Sequence, residues 1–314
     1  MIIYERKQDP MRVGIYLDDQ GRSLDAVVAA ARDGAKAGFA SAWMTQFGGW
    51  DALTALAVVG RETSGIEVGT AVVPTYPRHP LVLASQALTV QAAVGNRLTL
   101  GIGVSHRPIV EGQFGYSFDR PVAYLREYLS VLVPLLHGES VTHQGASLTA
   151  VGAVDVPGGK PPSLLIGALG PAMLRTAGEF ADGTVTTWTG PATLADHIVP
   201  TITRAASAAG RPDPRVVALS FVCVTADADA RREWVAQRFA MVGQLPSYRA
   251  VLDREGVDGP GETVILGDEA SVERQIRRLA SAGVTELVAQ PIGSAREQAT
   301  ATDLLVALNT PPAG

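Results

Sequence analysis

Short apolar runs alternate with longer segments of helical periodicity along the chain. This alternation is typical of repeated βα units, in which a buried strand is followed by an amphipathic helix. Eight segments have the length and composition of buried strands. They are RVGIYL (12–17), SAWMT (41–45), IEVGTAVV (66–73), RLTLGIGV (97–104), SLLIGA (163–168), GTVTTW (183–188), RVVALSFVCVT (215–225) and ELVAQPI (286–292).

The connections between these runs predict a parallel sheet. Segments such as LDAVVAAARDGAKAG and PLVLASQALTVQAAVGN have helical length and end at Gly or Asn, which are common C-terminal caps. Eight such repeats favour a closed (β/α)8 barrel, a TIM barrel, over the alternative of an open doubly wound sheet. The dinucleotide fingerprint GxGxxG is absent after the first strand, where YLDDQGRS stands instead, and this weighs against the open sheet.

Three segments interrupt the regular repeat and predict insertions. The first follows the fourth strand, over residues 105–120, and the second precedes the eighth strand, over residues 246–267. The third, GESVTHQGASLTAVGAVDVPG, has glycine punctuation between short apolar runs and predicts a β-hairpin before the fifth strand. We expect the first two to cover a pocket and to set its specificity, since loops vary without altering the scaffold.

Composition narrows the class of protein. A chain of 314 residues that is 46% hydrophobic can bury one large core, so we expect a single domain over residues 1–314, with 1–10 as a flexible N-terminal extension. The net charge of -5 and the lack of basic runs argue against a nucleic-acid partner. No apolar run is long enough to span a membrane, and no secretory signal opens the chain, which predicts a cytoplasmic protein without a membrane partner.

Several familiar chemistries have no motif in this sequence. There is no GxSxG, no HExxH and no phosphate-binding GxxxxGK[ST]. The five histidines are scattered without metal-ligand spacing, so no metal site is expected. The only cysteine, Cys223, lies in an apolar run and is expected to be a buried hydrophobe instead of a catalytic thiol.

The ends of the predicted strands hold the candidate chemistry, because barrel enzymes place their sites there. After the fourth strand, His106 and Glu111 are candidate proton-handling groups, and the alternative is a solvated surface pair. After the fifth strand, GALGPAML can present free backbone N–H groups at a helix start to a phosphate, although a plain tight turn fits equally. His79 either borders the pocket or only caps the helix that begins at Pro80.

Several segments of the chain resemble a known family. FASAWMTQ, the block from IEVGTAVVPTYPRHP to LTLGIGVSHRP, and LLIGALGPAMLRTAGEFADGTVTTW resemble bacterial-luciferase-like oxidoreductases of the branch that uses the deazaflavin coenzyme F420. The resemblance implies a homodimeric barrel that acts on a small-molecule substrate, with a flavin-like ring over the strand ends and its phosphate near the fifth strand. It also implies a non-prolyl cis peptide at Ala71–Val72.

The resemblance assigns cofactor roles residue by residue. Residues at the second strand would edge the ring, the end of the third strand would lie beneath it, and the fourth-strand end would flank the cofactor tail or the substrate. The predicted cofactor-binding residues are Trp43, Thr45, Gln46, Ala71, Val72, Val73, His79, Gly103, Ser105, Gly167, Ala168, Leu169, Gly170 and Trp188, with His106 and Glu111 as the catalytic pair.

Three hypotheses for the function follow. The leading one is an F420-dependent oxidoreductase that transfers hydride between the deazaflavin and a small organic substrate, with His106 as proton donor or substrate orienter. The second is an FMN-dependent monooxygenase that uses reduced flavin and oxygen on the same barrel. The third is a non-catalytic barrel that binds no flavin. Few acid and base residues are needed for the first two, since the cofactor carries the chemistry.

Overall fold

The chain folds as a closed barrel of parallel strands surrounded by helices. The computed structural model describes residues 11–309, so the predicted extension 1–10 lies outside the described residues. The strands are β1 Arg12–Tyr16, β2 Ser41–Met44, β3 Glu67–Thr70, β4 Val73–Pro74, β5 Leu98–Gly103, β6 Val141–Gln144, β7 Thr149–Gly152, β8 Ser163–Gly167, β9 Gly183–Thr187, β10 Arg215–Val224, β11 Ile265–Gly267 and β12 Glu286–Pro291.

Strand pairing closes the barrel. Around the wall the order is β1, β2, β3 with β4, β5, β8, β9, β10 and β12, and every neighbouring pair is parallel. The pairing of β12 with β1, in which Val13 faces Leu287, completes the circle. The prediction of a (β/α)8 barrel is therefore confirmed, and the open doubly wound alternative is wrong.

The helices lie outside the barrel and begin at the capping signals of the sequence. Ser23, Asp51 and Asp268 accept backbone N–H groups at the starts of three of them, and proline opens several others. The helices are α1 Leu24–Ala37, α2 Ala52–Glu62, α3 Pro80–Ala93, α4 Arg107–Gly112, α5 Pro121–Leu136, α6 Pro171–Phe180, α7 Pro191–Thr193, α8 Val199–Ala208, α9 Ala228–Arg238, α10 Pro246–Glu255, α11 Glu269–Ser281 and α12 Ala295–Asn309. Within residues 11–309 no helix is long and apolar enough to cross a bilayer.

The predicted strands match the observed ones within one or two residues at their ends, except for the third. Residues 66–73 form two short strands, β3 and β4, on either side of Ala71 and Val72. The peptide bond between these two residues is cis, as the resemblance implied.

All three predicted insertions are present as folded structure. Residues 105–120 contain α4, and residues 246–267 contain α10 and β11, which extends the barrel wall at the end of β10. The predicted hairpin is β6–β7. The carboxylate of Glu127 on α5 fastens this hairpin, since it accepts N–H groups from Ser147 and Leu148 and lies 3.2 Å from His143 Nε2.

One tryptophan fills the interior of the barrel. Trp43 on β2 is fully buried and packs with apolar side chains such as Leu165 and Val217 from the opposite wall. A β-carbon at Gly69 of β3 would lie 2.4 Å from the Trp43 ring, and one at Gly14 of β1 would lie 3.2 Å from its Nε1. Gly69 therefore makes room for the indole, whereas Gly14 makes room chiefly for the Ser41 hydroxyl, which a β-carbon would approach to 2.2 Å.

A cluster of charged side chains closes the barrel at the amino ends of its strands. Arg215 donates to Glu67 and to Glu286, 3.0 Å in each case, and Arg12 donates to Glu67 at 3.1 Å. Glu286 is 1% exposed, and a carboxylate at this depth requires such partners because its lost hydration must be replaced. The Trp43 indole donates to Glu286 at 3.1 Å, so the cluster and the tryptophan layer form one connected plug.

The ionisation of Glu67 makes the stability of this plug depend on pH. Burial alone would raise the pKa of Glu67, but its attraction to Arg215 and Arg12 and a hydrogen bond from Thr99 outweigh burial and lower that pKa. A lowered folded-state pKa gives stability that is complete above the unfolded pKa of about 4.3. That stability is lost as the pH falls through the lower, folded-state value.

We therefore predict that Glu67→Gln lowers the free energy of unfolding by about 1–3 kcal/mol at pH 7 and flattens its decline below about pH 4.5. Thermal unfolding between pH 3 and pH 7 measures both effects. Glu62→Gln is the matched control, because its ion pair with Arg32 is about half exposed on both sides and should contribute under about 1 kcal/mol. Equal pH profiles for Glu67→Gln and the wild type would contradict this account.

Candidate active site

A cavity of about 1130 Å³ opens at the carboxyl ends of the barrel strands. Side chains from the ends of several strands line it, among them Tyr16, Thr45, Leu219 and Gln290. The two segments predicted to cover a pocket also contribute, the first through His106 and the second through Tyr248. This is the location at which barrels of this class gather their functional groups.

Seven of the residues predicted for the site line this cavity. They are Thr45, Gln46, Ala71, Val72, Ser105, His106 and Trp188. The structure thus brings together the ends of the second, third, fourth and sixth predicted strands around one space.

The other predicted residues lie near the cavity without lining it. Trp43 is the buried interior residue described above, and Val73 is buried on β4. His79 caps α3, where its Nδ1 accepts from Leu81 N–H, and its Nε2 lies 2.9 Å from the Thr149 carbonyl oxygen of the hairpin. The interpretation of His79 as a helix cap is therefore the one that the structure supports. The remaining members of this group are Gly103, Glu111, Gly167, Ala168, Leu169 and Gly170.

Val72 forms the cavity floor, and glycines on two neighbouring strands make its position possible. A β-carbon at Gly103 would lie 2.8 Å from Val72 Cγ2, and one at Gly167 would lie 3.5 Å from both Val72 methyl groups. The carbonyl of Ala71 accepts from Thr45 Oγ1 at 2.7 Å, and that of Val72 accepts from Gln46 N–H at 3.2 Å. Gly103 and Gly167 therefore shape the floor from behind instead of facing the cavity themselves.

The loop between β8 and α6 leads into a helix whose start has no side-chain cap. Pro171 is the first residue of α6, and no side chain caps the helix at Gly170. Uncapped N–H groups and the positive end of the helix dipole together favour a phosphate. His197, from the π-helical turn Leu194–Ile198, lies with its Nε2 2.9 Å from the Leu169 carbonyl oxygen and braces this loop.

One wall of the cavity is polar and fixed in orientation. Gln46 Oε1 accepts from Ala52 N–H at 2.8 Å and from Arg78 Nη2 at 3.3 Å. Arg78 also pairs with Asp51, the cap of α2. Both acceptor directions of the Gln46 oxygen are thus occupied, and one N–H of its NH2 group donates to the Phe47 carbonyl at 3.4 Å. The second N–H is the part available to a ligand.

His106 and Tyr248 bring the two covering segments together. Their ring centroids are 5.0 Å apart, and His106 Nδ1 lies 3.5 Å from Ser247 Oγ. Burial lowers the pKa of His106, so the imidazole is neutral at pH 7. Burial likewise raises the pKa of Tyr248 to about 12, so this phenol stays protonated.

Tyr16 adds another neutral hydroxyl at the bottom of the cavity. Burial raises the pKa of Tyr16 to about 12, and a hydrogen bond with Thr45 only partly offsets this. Three ionisable residues that line the cavity, Tyr16, His106 and Tyr248, are therefore uncharged hydrogen-bonding groups.

Glu111 lies outside the cavity wall and has a different set of partners. On α4 its carboxylate forms an ion pair with Arg107, one helical turn earlier, and accepts the backbone N–H of Phe118 at 3.2 Å. Arg107 in turn lies over the Phe118 ring, 5.7 Å from its centroid. These contacts hold the covering segment together and give Glu111 partners other than His106.

Two cavity residues have left-handed backbone conformations. Ser105 has φ 61° and Trp188 has φ 59°, a region that costs a residue with a side chain about 1–3 kcal/mol. Trp188 is held by Phe221 and Phe239, with ring centroids 5.5 and 5.0 Å away. Such strain at the ends of two strands turns both side chains toward the same cavity.

Sequence reasoning did not find Tyr16, Arg78 or Tyr248. Tyr16 lies inside a predicted strand, where a strand-end search does not look, although its position just before Asp18 could have signalled it. Tyr248 lies on a helix of the second insertion, and nothing in the local sequence indicates which face of α10 points inward. In the part of the chain that the structure describes, no group of three or more His, Cys, Asp or Glu side chains could hold a metal ion.

Known proteins share this architecture. A 5,10-methylenetetrahydromethanopterin reductase of Methanopyrus kandleri is 27% identical over 90% of this chain and 93% of its own. The solved structure of the coenzyme F420-dependent tetrahydromethanopterin reductase from that organism superposes with a TM-score of 0.74 at 23% identity, over 95% of this chain and 97% of that chain.

An FMN-bound relative has the same fold. The oxygenating constituent of 3,6-diketocamphane monooxygenase from Pseudomonas putida, solved with FMN, superposes with a TM-score of 0.75 at 16% identity, over 95% of this chain and 97% of that chain. The sequence profile of the luciferase-like monooxygenases matches residues 9–305, nearly the whole length described above. The chain therefore belongs to the luciferase-like monooxygenase family.

Proposed function

We propose that this protein is an F420-dependent oxidoreductase that transfers hydride between the deazaflavin and a small organic substrate in the cavity above Val72. The observation that carries the proposal is the floor itself, a valine side chain seated between Gly103 and Gly167 beneath an open cavity of about 1130 Å³. The F420-dependent reductase with the same fold supports the choice of cofactor.

The residues present fit a flat ring with an anionic tail. Val72 offers an apolar surface, and the NH2 group of Gln46 faces the cavity from the edge of that surface. The uncapped start of α6 at Gly170 suits a phosphate group. When bound, F420 supplies a two-electron hydride carrier, and the protein supplies position and the exclusion of water.

His106 is proposed to orient the substrate. It lines the cavity, is half-buried, and is neutral at pH 7 because burial lowers its pKa. A neutral imidazole donates a hydrogen bond to a substrate oxygen without placing a charge next to the ring. This favours the orienting role over that of a strong proton donor.

The competing function is that of an FMN-dependent monooxygenase using reduced flavin and oxygen. The FMN-bound relative with the same fold supports this alternative. Both functions use the same floor, so the identity of the bound cofactor separates them.

Titration of the purified protein with F420 and with FMN, followed by fluorescence, tests the proposal directly. We expect F420 to bind with a dissociation constant in the micromolar range or below, and FMN to bind at least about tenfold more weakly, which is about 1.4 kcal/mol. Tight FMN binding with oxygen consumption from reduced FMN would instead establish the monooxygenase. Failure of both to bind would point to a non-catalytic barrel.

Replacing His106 tests its role separately. We predict that His106→Ala lowers kcat/KM about 10- to 100-fold, since one oriented hydrogen bond to the reacting group is lost, while F420 affinity changes by less than about twofold. His137→Ala is the matched control, because this exposed histidine at the end of α5 bonds only its own helix, at the Val133 carbonyl. Unchanged turnover in His106→Ala would refute the orienting role.

Adding a methyl group behind the floor should disturb the ring site without reaching the cavity. In Gly103→Ala the new carbon would lie 2.8 Å from Val72 Cγ2 and push the valine upward. We expect the affinity for F420 to fall about tenfold, the scale of a 1–2 kcal/mol overpacking cost. Gly112→Ala, where a β-carbon meets nothing within 4 Å, is the control. Equal cofactor affinity in the two variants would show that Val72 does not support the ring.

A further inference from the structure

The side of the cavity opposite Gln46 and Arg78 is an aromatic wall. Trp188 at the end of β9, Phe221 on β10 and Phe239 after α9 form a triangle of ring centroids 5.0 to 5.5 Å apart. All three line the cavity and are only half-buried, so part of each ring faces the open space. These rings, tilted at 36° to 50° to one another, offer a large apolar surface to a ligand.

Two polar groups near this wall are neutral, while the Arg238 guanidinium lies against its Phe239 ring. Leu219 and Val264 line the cavity near it, and the polar members nearby, His106 and Tyr248, carry no charge at pH 7. The charged residues that line the cavity have other partners. Arg78 pairs with Asp51, Asp18 accepts the backbone N–H of Gln20, and exposed Arg238 donates to the Gln20 side chain and lies 5.5 Å from the Phe239 ring centroid.

Two of the polar groups that line the cavity, Tyr248 and His106, can act as hydrogen-bond donors. The structure assigns no hydrogen-bond partner to the Tyr248 hydroxyl within residues 11–309, and this residue lines the cavity. If His106 Nδ1 accepts from Ser247, the ring proton is on Nε2 and can be donated as well. Two donors beside an apolar wall suit a single acceptor oxygen on an otherwise apolar molecule.

We propose that the aromatic wall and the donor pair His106 and Tyr248 form the substrate subsite, and that it selects neutral, ring-bearing carbonyl compounds. The apolar body lies against Trp188, Phe221 and Phe239, and the carbonyl oxygen accepts from Tyr248 and His106. An anionic substrate is disfavoured at the donor pair because both donors are uncharged and do not offset its desolvation. The cation at the wall, exposed Arg238, has the neutral Gln20 side chain as its hydrogen-bond partner, so its contribution is tested separately. This inference rests on the proposed function for the reaction, but it concerns substrate binding alone.

Calorimetric titration with three matched probes tests the subsite. 2-Acetylnaphthalene carries the ring and the carbonyl, 2-naphthoate carries the same ring with a charge, and 2-ethylnaphthalene lacks the oxygen. We expect 2-naphthoate to bind at least about tenfold more weakly than 2-acetylnaphthalene, and 2-ethylnaphthalene about three- to tenfold more weakly. The proposed selectivity would be overturned if 2-naphthoate bound as tightly as 2-acetylnaphthalene, or if substitution of Arg238 abolished the binding of 2-naphthoate. Failure of all three probes to bind would overturn it as well.

Two substitutions distinguish the contribution of the aromatic wall to binding from that of the donors. Tyr248→Phe should lower the affinity for 2-acetylnaphthalene about three- to tenfold and leave the affinity for 2-ethylnaphthalene unchanged, because only the hydroxyl is removed. Tyr116→Phe, an exposed tyrosine outside the cavity wall, is the matched control. Phe221→Leu should lower the affinity for both probes to the same extent. If Tyr248→Phe lowered the affinity for both probes equally, or for neither, the Tyr248 hydroxyl would not be the donor to the carbonyl oxygen.

The same titrations are run with and without F420. Tyr248→Phe should bind F420 as the wild type does, since Tyr248 lies at the substrate subsite and not at the Val72 floor. Binding of F420 without selectivity among the probes would overturn this inference and leave the proposed function standing. Selectivity among the probes without cofactor binding would do the reverse.

Discussion

The structure depends on filling the inside of a closed parallel barrel. Parallel strands bury both faces, so every layer of the interior must be occupied by side chains that satisfy one another. Here the lowest layer is ionic, with Arg215 joined to Glu67 and Glu286. The next is the Trp43 ring, which is hydrogen-bonded to Glu286 below. The floor of the cavity, Val72, packs against the Trp43 layer and lines the open space above it.

The scaffold could be predicted from the sequence because the pattern of a βα unit recurs eight times along the chain. Most of the barrel strands are short apolar runs, and each crossover between them contains an α-helix. The interruption of the third strand was not visible in this way, because IEVGTAVV has uniform strand character on both sides of Ala71. The cis bond there came from family resemblance, which carries information that local propensity does not.

The candidate site was predicted less completely, and the reasons are geometric. Trp43 and Thr45 point to the same side of β2, but they are two residues apart, which is about 6.5 Å of depth along a strand. That difference makes one an interior residue and the other a cavity residue. Glu111 follows Arg107 by four residues, and only the formation of α4 turns this spacing into an ion pair. Tyr248 reaches the cavity from a distant insertion, a contact that no local pattern encodes.

The meeting of His106 and Tyr248 also has an evolutionary consequence. The two rings belong to insertions that are far apart in the chain, while the layers under Val72 belong entirely to the strands. Changes in α10 can therefore alter what the pocket accepts without disturbing the plug that keeps the barrel closed. A lineage could change the shape of the pocket by exchanging one surface segment, so that the effect of each change is confined to that segment and the Val72 floor stays intact.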